Sequence, residues 1–164
     1  MNLRTDLQSA GEPAGHHSPP SLQQWQREMR RGQGAALQGQ LLLALASYQQ
    51  AVALARSLVA DPPDGQADDC VAALVVAHLN LADVLADAGS VELAAVQRCH
   101  VHEVLMQLLQ SGETTHDELQ RAALRHSRET HACLMLHLSE HGSDPAILRA
   151  LRKGCMALAV GPVH

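Results

Sequence analysis

Histidine is the residue type in this chain with the clearest capacity for chemistry. Nine of the eleven histidines lie from position 78 onward, and such a density is typical of metal-binding segments. The most promising spacing is Cys133, His137 and His141, but on a helix the first and last would lie ~12 Å apart along the axis and ~80° apart around it. Only a pair could share one ion, and a structural zinc would need ligands from another helix, with His100 or His102 as candidates. The sequence therefore predicts no metal and no cofactor.

His78 has a different context, because it lies within an apolar stripe that recurs at helical spacing between positions 71 and 85. That placement predicts a buried, neutral imidazole with one hydrogen bond. Imidazoles change charge between pH 5 and 8. A metal-responsive or pH-responsive helical bundle that uses its histidines as sensors is therefore retained as the alternative function.

No known catalytic motif accompanies these histidines. His102 and Glu103 begin a pattern like that of helical zinc proteases, but Met106 stands where the second histidine is required. A glycine-rich phosphate loop, a nucleophile elbow and a dinucleotide fingerprint are all absent from the sequence. We therefore predict that the chain is not an enzyme.

Composition predicts the fold class. The chain has 164 residues, 46% of them apolar, with no Phe, one Trp and one Tyr, so its core must be built from aliphatic residues that suit helices better than strands. A net charge of −5 argues against nucleic acid as the main partner. The four cysteines lie singly and predict buried free thiols. With no evident signal peptide or membrane span, we expect a cytoplasmic protein.

Turn signals divide the chain into six predicted helices. Residues 1–20 carry turn-formers without helical periodicity and predict a disordered tail, and residues 160–164 predict a C-terminal tail. A single helical domain is predicted over 21–159. Ser21 and Ser90 are candidate N-caps, and Gly39, Gly89 and Gly142 are candidate turn residues. The prediction is an all-α chain of three antiparallel helical hairpins.

The hairpins resemble the tetratricopeptide repeat (TPR), a family of stacked helix pairs. In the second pair, Asn80-Leu81-Ala82 is similar to the family's Asn-Leu-Gly, followed by the turn glycine Gly89 and by Val91 and Ala94. The first pair offers Gly39, Leu41, Ala44, Tyr48 and Ala51. The third offers Leu134 and Gly142, with Ile147 where the family prefers Ala. The turn glycines are 50 and 53 residues apart, whereas the family repeats every ~34.

The resemblance implies a right-handed stack of hairpins whose first helices line a groove for a peptide or a partner helix. The residues expected to bind the partner are Asn80, Asp83, Asp87, Ala132, Cys133 and Leu136. The basic residues with which the family captures a free carboxylate are missing, so an apolar or basic peptide suits this neutral to acidic groove better. The alternative fold is a plain six-helix bundle. The alternative to a bound peptide is a homodimer in which an apolar outer face of the chain is buried.

Overall fold

The fold is seen in a computed structural model, which describes residues 19–111 and 117–159. Within those residues the secondary structure consists of six α-helices without a strand, so the predicted all-α class is confirmed. Residues 1–18 of the predicted N-terminal tail (1–20) and the whole predicted C-terminal tail (160–164) lie outside the described residues. The helices are α1 (Leu22–Leu37), α2 (Leu41–Ala60), α3 (Ala67–Asp87), α4 (Val91–Gln110), α5 (Asp117–His141) and α6 (Pro145–Ala159).

Side-chain caps fix the start of two helices. The Ser21 hydroxyl accepts a hydrogen bond from the Gln24 amide nitrogen at 3.3 Å, and Gln24 Oε1 accepts one from the Ser21 amide nitrogen at 3.1 Å. This reciprocal pair is a capping box, which satisfies two amides that the first turn of a helix leaves free. Asp144 Oδ1 accepts from the amides of Ala146 and Ile147 at the start of α6. The predicted side-chain cap at Ser90 is wrong, because that hydroxyl makes no capping bond to α4.

The two serines at helix starts give a direct test of this difference. We expect Ser21→Ala to lower the free energy of unfolding by about 1 kcal/mol, because it removes a capping bond. Ser90→Ala is the matched control and should stay within about 0.5 kcal/mol of the parent. Urea unfolding followed by circular dichroism measures both, and equal effects of the two substitutions would contradict the assigned cap.

Glycines with positive φ follow α1, α3 and α5. Gly39 has φ 69° and Gly89 has φ 80°, a left-handed conformation that costs L-residues energy. After α1, the Gln40 amide donates to the Ala35 carbonyl and the Gly39 amide to the Ala36 carbonyl. The same pair of bonds recurs one hairpin later, around Gly89. Both ends are Schellman motifs, so the predicted turn glycines are confirmed.

The helices that follow the three turn glycines share one register of burial. The residue five positions after the glycine is buried in each case, as is the residue at twelve, while the residue at nine is at most slightly exposed. The helix after each turn glycine therefore buries the same face. These positions are Ala44, Ala94 and Ile147 at five, Tyr48, Arg98 and Leu151 at nine, and Ala51, Val101 and Gly154 at twelve.

The helices pack mainly on their neighbours along the chain. In addition, α3 lies against α5, and α6 lies mostly against α4 rather than α5. The largest apolar cluster joins α2, α3, α4 and α5 through buried residues such as Leu58, Leu74, Leu105 and Leu119. Smaller clusters join α1 to α2 and α3, and α6 to α4 and α5. This packing places α3 and α5 side by side, which brings the two predicted groups of partner-binding residues to adjacent helices.

The thiols differ in environment. Cys70 and Cys99 are buried, Cys133 is half-buried and Cys155 is exposed. The prediction of buried free thiols is confirmed for the first two and wrong for Cys155. Cys155 lies one residue after the buried Gly154, on a part of α6 that faces solvent.

Helices α2 and α3 are long and rich in apolar residues. By length and composition alone, α2 and α3 could cross a membrane. In this fold, however, 44% of the apolar window of α2 and 50% of that of α3 is buried against the rest of the chain, and core helices of globular proteins share this composition. The feature is weak evidence either way, and the absence of a membrane association stays a prediction.

Candidate partner-binding face

The α3 side of the candidate face carries Asn80, Asp83 and Asp87, whose spacing of three and four places them on one side of the helix. Asn80 is half-buried, and its Nδ2 donates to the Val76 carbonyl of its own helix at 2.8 Å. Part of the amide's donor capacity is therefore used within α3. Asp83 and Asp87 are both exposed, so their carboxylates are accessible from this side.

Asp83 is held in place by an arginine from the next helix. Arg98 Nη2 donates to Asp83 Oδ1 at 2.9 Å, and Arg98 Nη1 donates to His137 Nδ1 on α5 at 2.7 Å. The Arg98 side chain is only 12% exposed, whereas that of Asp83 is 68% exposed. The guanidinium of α4 thus forms a polar bridge between α3 and α5, which we call the Arg98 bridge.

The α5 side of the face carries Ala132, Cys133 and Leu136. Ala132 is exposed, and Leu136 is exposed over 56% of its surface. The half-buried Cys133 thiol has a raised pKa, mainly because burial disfavours the thiolate and secondly because Glu129 is negative, while Arg98 opposes the shift. A thiol with a raised pKa is a poor nucleophile, so Cys133 fits the predicted role of a contact residue better than that of a reactive group.

The structure brings some of the predicted residues together. Asp83 and Cys133 share the surroundings of Arg98 and influence each other electrostatically. Exposed apolar groups lie on the same two helices, with Val76 at 37% and Leu136 at 56% exposure. Asp87, one turn beyond Asp83, also lines a shallow pocket of about 230 Å³ beside the α1–α2 turn. The face therefore carries the acidic pair Asp83 and Asp87 on α3 together with exposed apolar groups on α3 and α5.

Three histidines are buried between helices, each beside a second imidazole. His78, His102 and His137 are at most 2% exposed. Their ring centroids lie 5.3 Å from His100, 6.0 Å from His131 and 4.6 Å from His141, respectively. Within the described residues, no three His, Cys, Asp or Glu side chains form a group that could hold a metal ion. The sequence-based candidates Cys133, His137 and His141 therefore form no such group, and His137 Nδ1 is occupied by Arg98.

Hydrogen bonds fix the neutral form of the two most buried rings. His78 Nδ1 donates to Gln97 Oε1 at 2.9 Å, which confirms the predicted buried imidazole with one hydrogen bond. The Thr130 hydroxyl donates to the Ser127 carbonyl, so it accepts from His102 Nδ1 at 2.8 Å. In both rings Nε2 is buried without a partner. Burial lowers the pKa of each imidazole from 6.5 to about 4, because a charged ring would be poorly solvated there.

Comparison with known families gives one result that covers most of the chain. Residues 23–161 match the family described as "Protein of unknown function (DUF2753)". The chain belongs to this family. The match includes all six helices apart from the first residue of α1, so the candidate face and the buried histidines lie within the DUF2753 region. Neither curated proteins nor solved structures give a match.

The role of Arg98 was not predicted from the sequence, and His137 was considered only as a candidate metal ligand. A signal was present in the repeat, because Arg98 occupies the position of Tyr48 in the first hairpin and of Leu151 in the third, nine residues after each turn glycine. A charged residue at a position that is otherwise buried must find partners. Its partners, however, lie 15 and 39 residues away along the chain, and helical periodicity cannot identify them.

Proposed function

We propose that this DUF2753 protein is a non-catalytic, cytoplasmic interaction module that binds a segment of another protein along α3 and α5. The observation that carries the proposal is the exposure of Val76 and Leu136 on two adjacent helices that also hold the oriented Asp83 carboxylate. Exposed apolar side chains next to a few fixed polar groups are characteristic of surfaces that bind peptides.

The repeated register of burial and the side-by-side placement of α3 and α5 support the TPR-like reading of this proposal. In a stack of hairpins the first helices line one surface, and here those helices are α1, α3 and α5. The bound segment would contact the predicted residues Asn80, Asp83, Cys133 and Leu136, with Asp87 at one end of its path. Protein is the proposed class of partner, because the net charge of −5 does not favour nucleic acid.

Leu136→Asp tests this face against a control of equal exposure. Leu136 on α5 is 56% exposed and Leu93 on α4 is 55% exposed, so a carboxylate at either position causes similar surface perturbation. We expect Leu136→Asp to reduce the amount of partner captured from a lysate of the source organism about tenfold. Leu93→Asp should capture as much as the parent. Quantitative mass spectrometry measures both, and equal capture by the two variants would refute the face.

A second candidate function is a proton-responsive helical bundle, favoured by the three buried histidines. The two functions predict different behaviour on mild acidification. A proton-responsive bundle should change conformation reversibly and stay helical as the pH falls from 6.5 toward about 4, where the buried rings take up protons, whereas an interaction module should only lose stability. Near-UV circular dichroism at a series of pH values distinguishes them through the environment of Tyr48 and Trp25.

A further inference from the structure

The environment of Asp83 suggests what kind of side chain the bound segment carries. Arg98 fixes one carboxylate oxygen, Oδ1, and the described residues offer Asp83 no other hydrogen-bond or ion-pair partner. The side chain remains 68% exposed. A carboxylate that is already oriented, and whose second oxygen faces solvent, binds a further cationic donor with little additional loss of conformational freedom.

The surroundings of Asp83 also restrict the ligand. The nearest cation, Arg98, is largely buried and engaged on both of its terminal nitrogens. On the exposed side of α3, Asp87 lies one turn from Asp83 and Val76 lies seven residues, or about 10 Å, before it, while Leu136 is exposed on α5. A ligand that places a cation over Asp83 would therefore place its neighbouring side chains over apolar groups or a second carboxylate.

We propose that this face recognises a segment with an arginine or lysine beside an apolar residue, that Asp83 accepts the cation, and that the Arg98 bridge tunes the strength of that contact. The proposal rests on the proposed function, since it assigns a ligand chemistry to the same face. Asp83 is then the residue that determines specificity, while Arg98 and His137 are positioning residues behind it.

The hydrogen-bond geometry of the Arg98 bridge makes it sensitive to protons. Arg98 can only donate, so His137 Nδ1 must carry the lone pair and Nε2 the hydrogen. A proton added to Nδ1 removes the acceptor and places a second positive charge next to Arg98, close behind Asp83. Both changes make the surroundings of Asp83 less favourable for a cationic ligand. Binding should therefore weaken as the pH falls through the titration of His137.

Several charged groups around His137 set where that titration lies. Burial lowers the pKa of His137 below 6.5, and the positive Arg98 and the neighbouring imidazole of His141 lower it further, while carboxylates oppose them. Because protonation of Nδ1 removes the acceptor that Arg98 uses, binding of a cationic ligand weakens as the ring gains a proton. The groups facing the ring are Arg98 from α4 with Asp83 of α3 behind it, Glu140 and His141 from α5, and Asp144 from the turn before α6.

Fluorescence anisotropy with two labelled peptides tests the ligand chemistry. One probe is a short peptide of Arg, Leu and Ala, and the other carries citrulline, a neutral isostere, in place of each Arg. We expect the citrulline peptide to bind about tenfold more weakly, because it lacks the charge-assisted hydrogen bond to Asp83. Asp83→Asn should weaken the Arg peptide to a similar extent and leave the citrulline peptide unchanged.

The pH profile tests the bridge. From about pH 7.5 down to the lowest pH at which the near-UV circular dichroism of the fold is unchanged, the affinity of the parent protein for the Arg peptide should fall. His137→Asn keeps an oxygen acceptor for Arg98 but cannot be protonated in this range, so its profile should be flat. If that variant does not fold, a measurement on the parent protein alone replaces the comparison. By reciprocal linkage, the Arg peptide must shift the titration of the His137 ring, followed by NMR, to lower pH.

The possible outcomes separate the two proposals. Binding of neither peptide would overturn the partner-binding face itself. Equal binding of the Arg and citrulline peptides would leave the face intact and overturn the role of Asp83. A pH profile that is the same for the parent and His137→Asn, or a His137 titration that the Arg peptide does not move, would overturn the role of the bridge.

Discussion

Between pH 6.5 and about pH 4, the protein should lose most of its stability. His78 and His102 titrate near pH 6.5 when unfolded, but burial lowers the pKa of each to about 4 in the fold. In this range the unfolded chain binds more protons than the folded chain, so the free energy of unfolding falls as the pH falls. Each group contributes roughly 3 kcal/mol, at about 1.4 kcal/mol per pKa unit. Two such contributions are comparable to the whole stability of a typical domain.

Urea unfolding at a series of pH values measures this loss. His78→Asn and His102→Asn each retain a donor for Gln97 or Thr130 and cannot charge, so the double variant should lose far less stability on acidification. Val101→Ala is the control, because it removes buried volume without a titratable group and should lower stability by a similar amount at every pH. A double variant with the same pH slope as Val101→Ala would show that these two rings are not responsible.

The helices could be predicted because their signals are local. Ser21 lies three residues before the Gln24 with which it forms the capping box, and Gly39 and Gly89 end helices through bonds within a few residues. Apolar periodicity then gives the face of α3 that is buried, including His78. Contacts of this kind depend on residues within one or two helical turns, which a single sequence displays directly.

The details of the candidate face could not be predicted, because they depend on contacts between helices. Asp83 was predicted as a partner-binding residue from its place on α3, but nothing local indicated that Arg98 would hold it. Asn80 was also predicted as a partner-binding residue, and its Nδ2 donates to the Val76 carbonyl of its own helix. The rotation of each helix about its axis decides such contacts, and a shift of one residue turns a side chain by about 100°.

The burial of His102 shows the same limit. It was considered only as a metal candidate or as part of a protease-like motif, yet it is fully buried and hydrogen-bonded to Thr130. Its position depends on Gly154 of α6, whose lack of a side chain leaves room for the ring. A single sequence gives no sign that positions 102 and 154 meet, because they are 52 residues apart along the chain. Alanine substitutions at Gly154 and at two glycines of α1 test close contacts of this kind between helices.

Two glycines of α1 should respond to alanine with opposite signs. A Cβ at Gly32 would lie 2.8 Å from Cε1 of Tyr48, a ring that is only 2% exposed and cannot easily move. We expect Gly32→Ala to destabilise the protein by about 1 to 3 kcal/mol through overpacking. A Cβ at Gly34 would meet nothing within 4 Å, so Gly34→Ala should stabilise by about 0.5 to 1 kcal/mol through helix propensity. Thermal and urea unfolding measure both, and two changes of the same sign would contradict the close approach of α1 and α2.

Gly154→Ala extends this reasoning to the contact between α6 and α4. Its Cβ would lie 2.5 Å from Nε2 of the fully buried His102, closer than at Gly32. We therefore expect a loss at the upper end of about 1 to 3 kcal/mol. In a His102→Ala background the obstacle is gone, and Gly154→Ala should then be neutral or stabilising by its helix propensity. A double-mutant cycle measures this coupling. Additive effects of the two substitutions would mean that the ring and the glycine do not touch, and that His102 owes its burial to Thr130 and the α4–α5 interface alone.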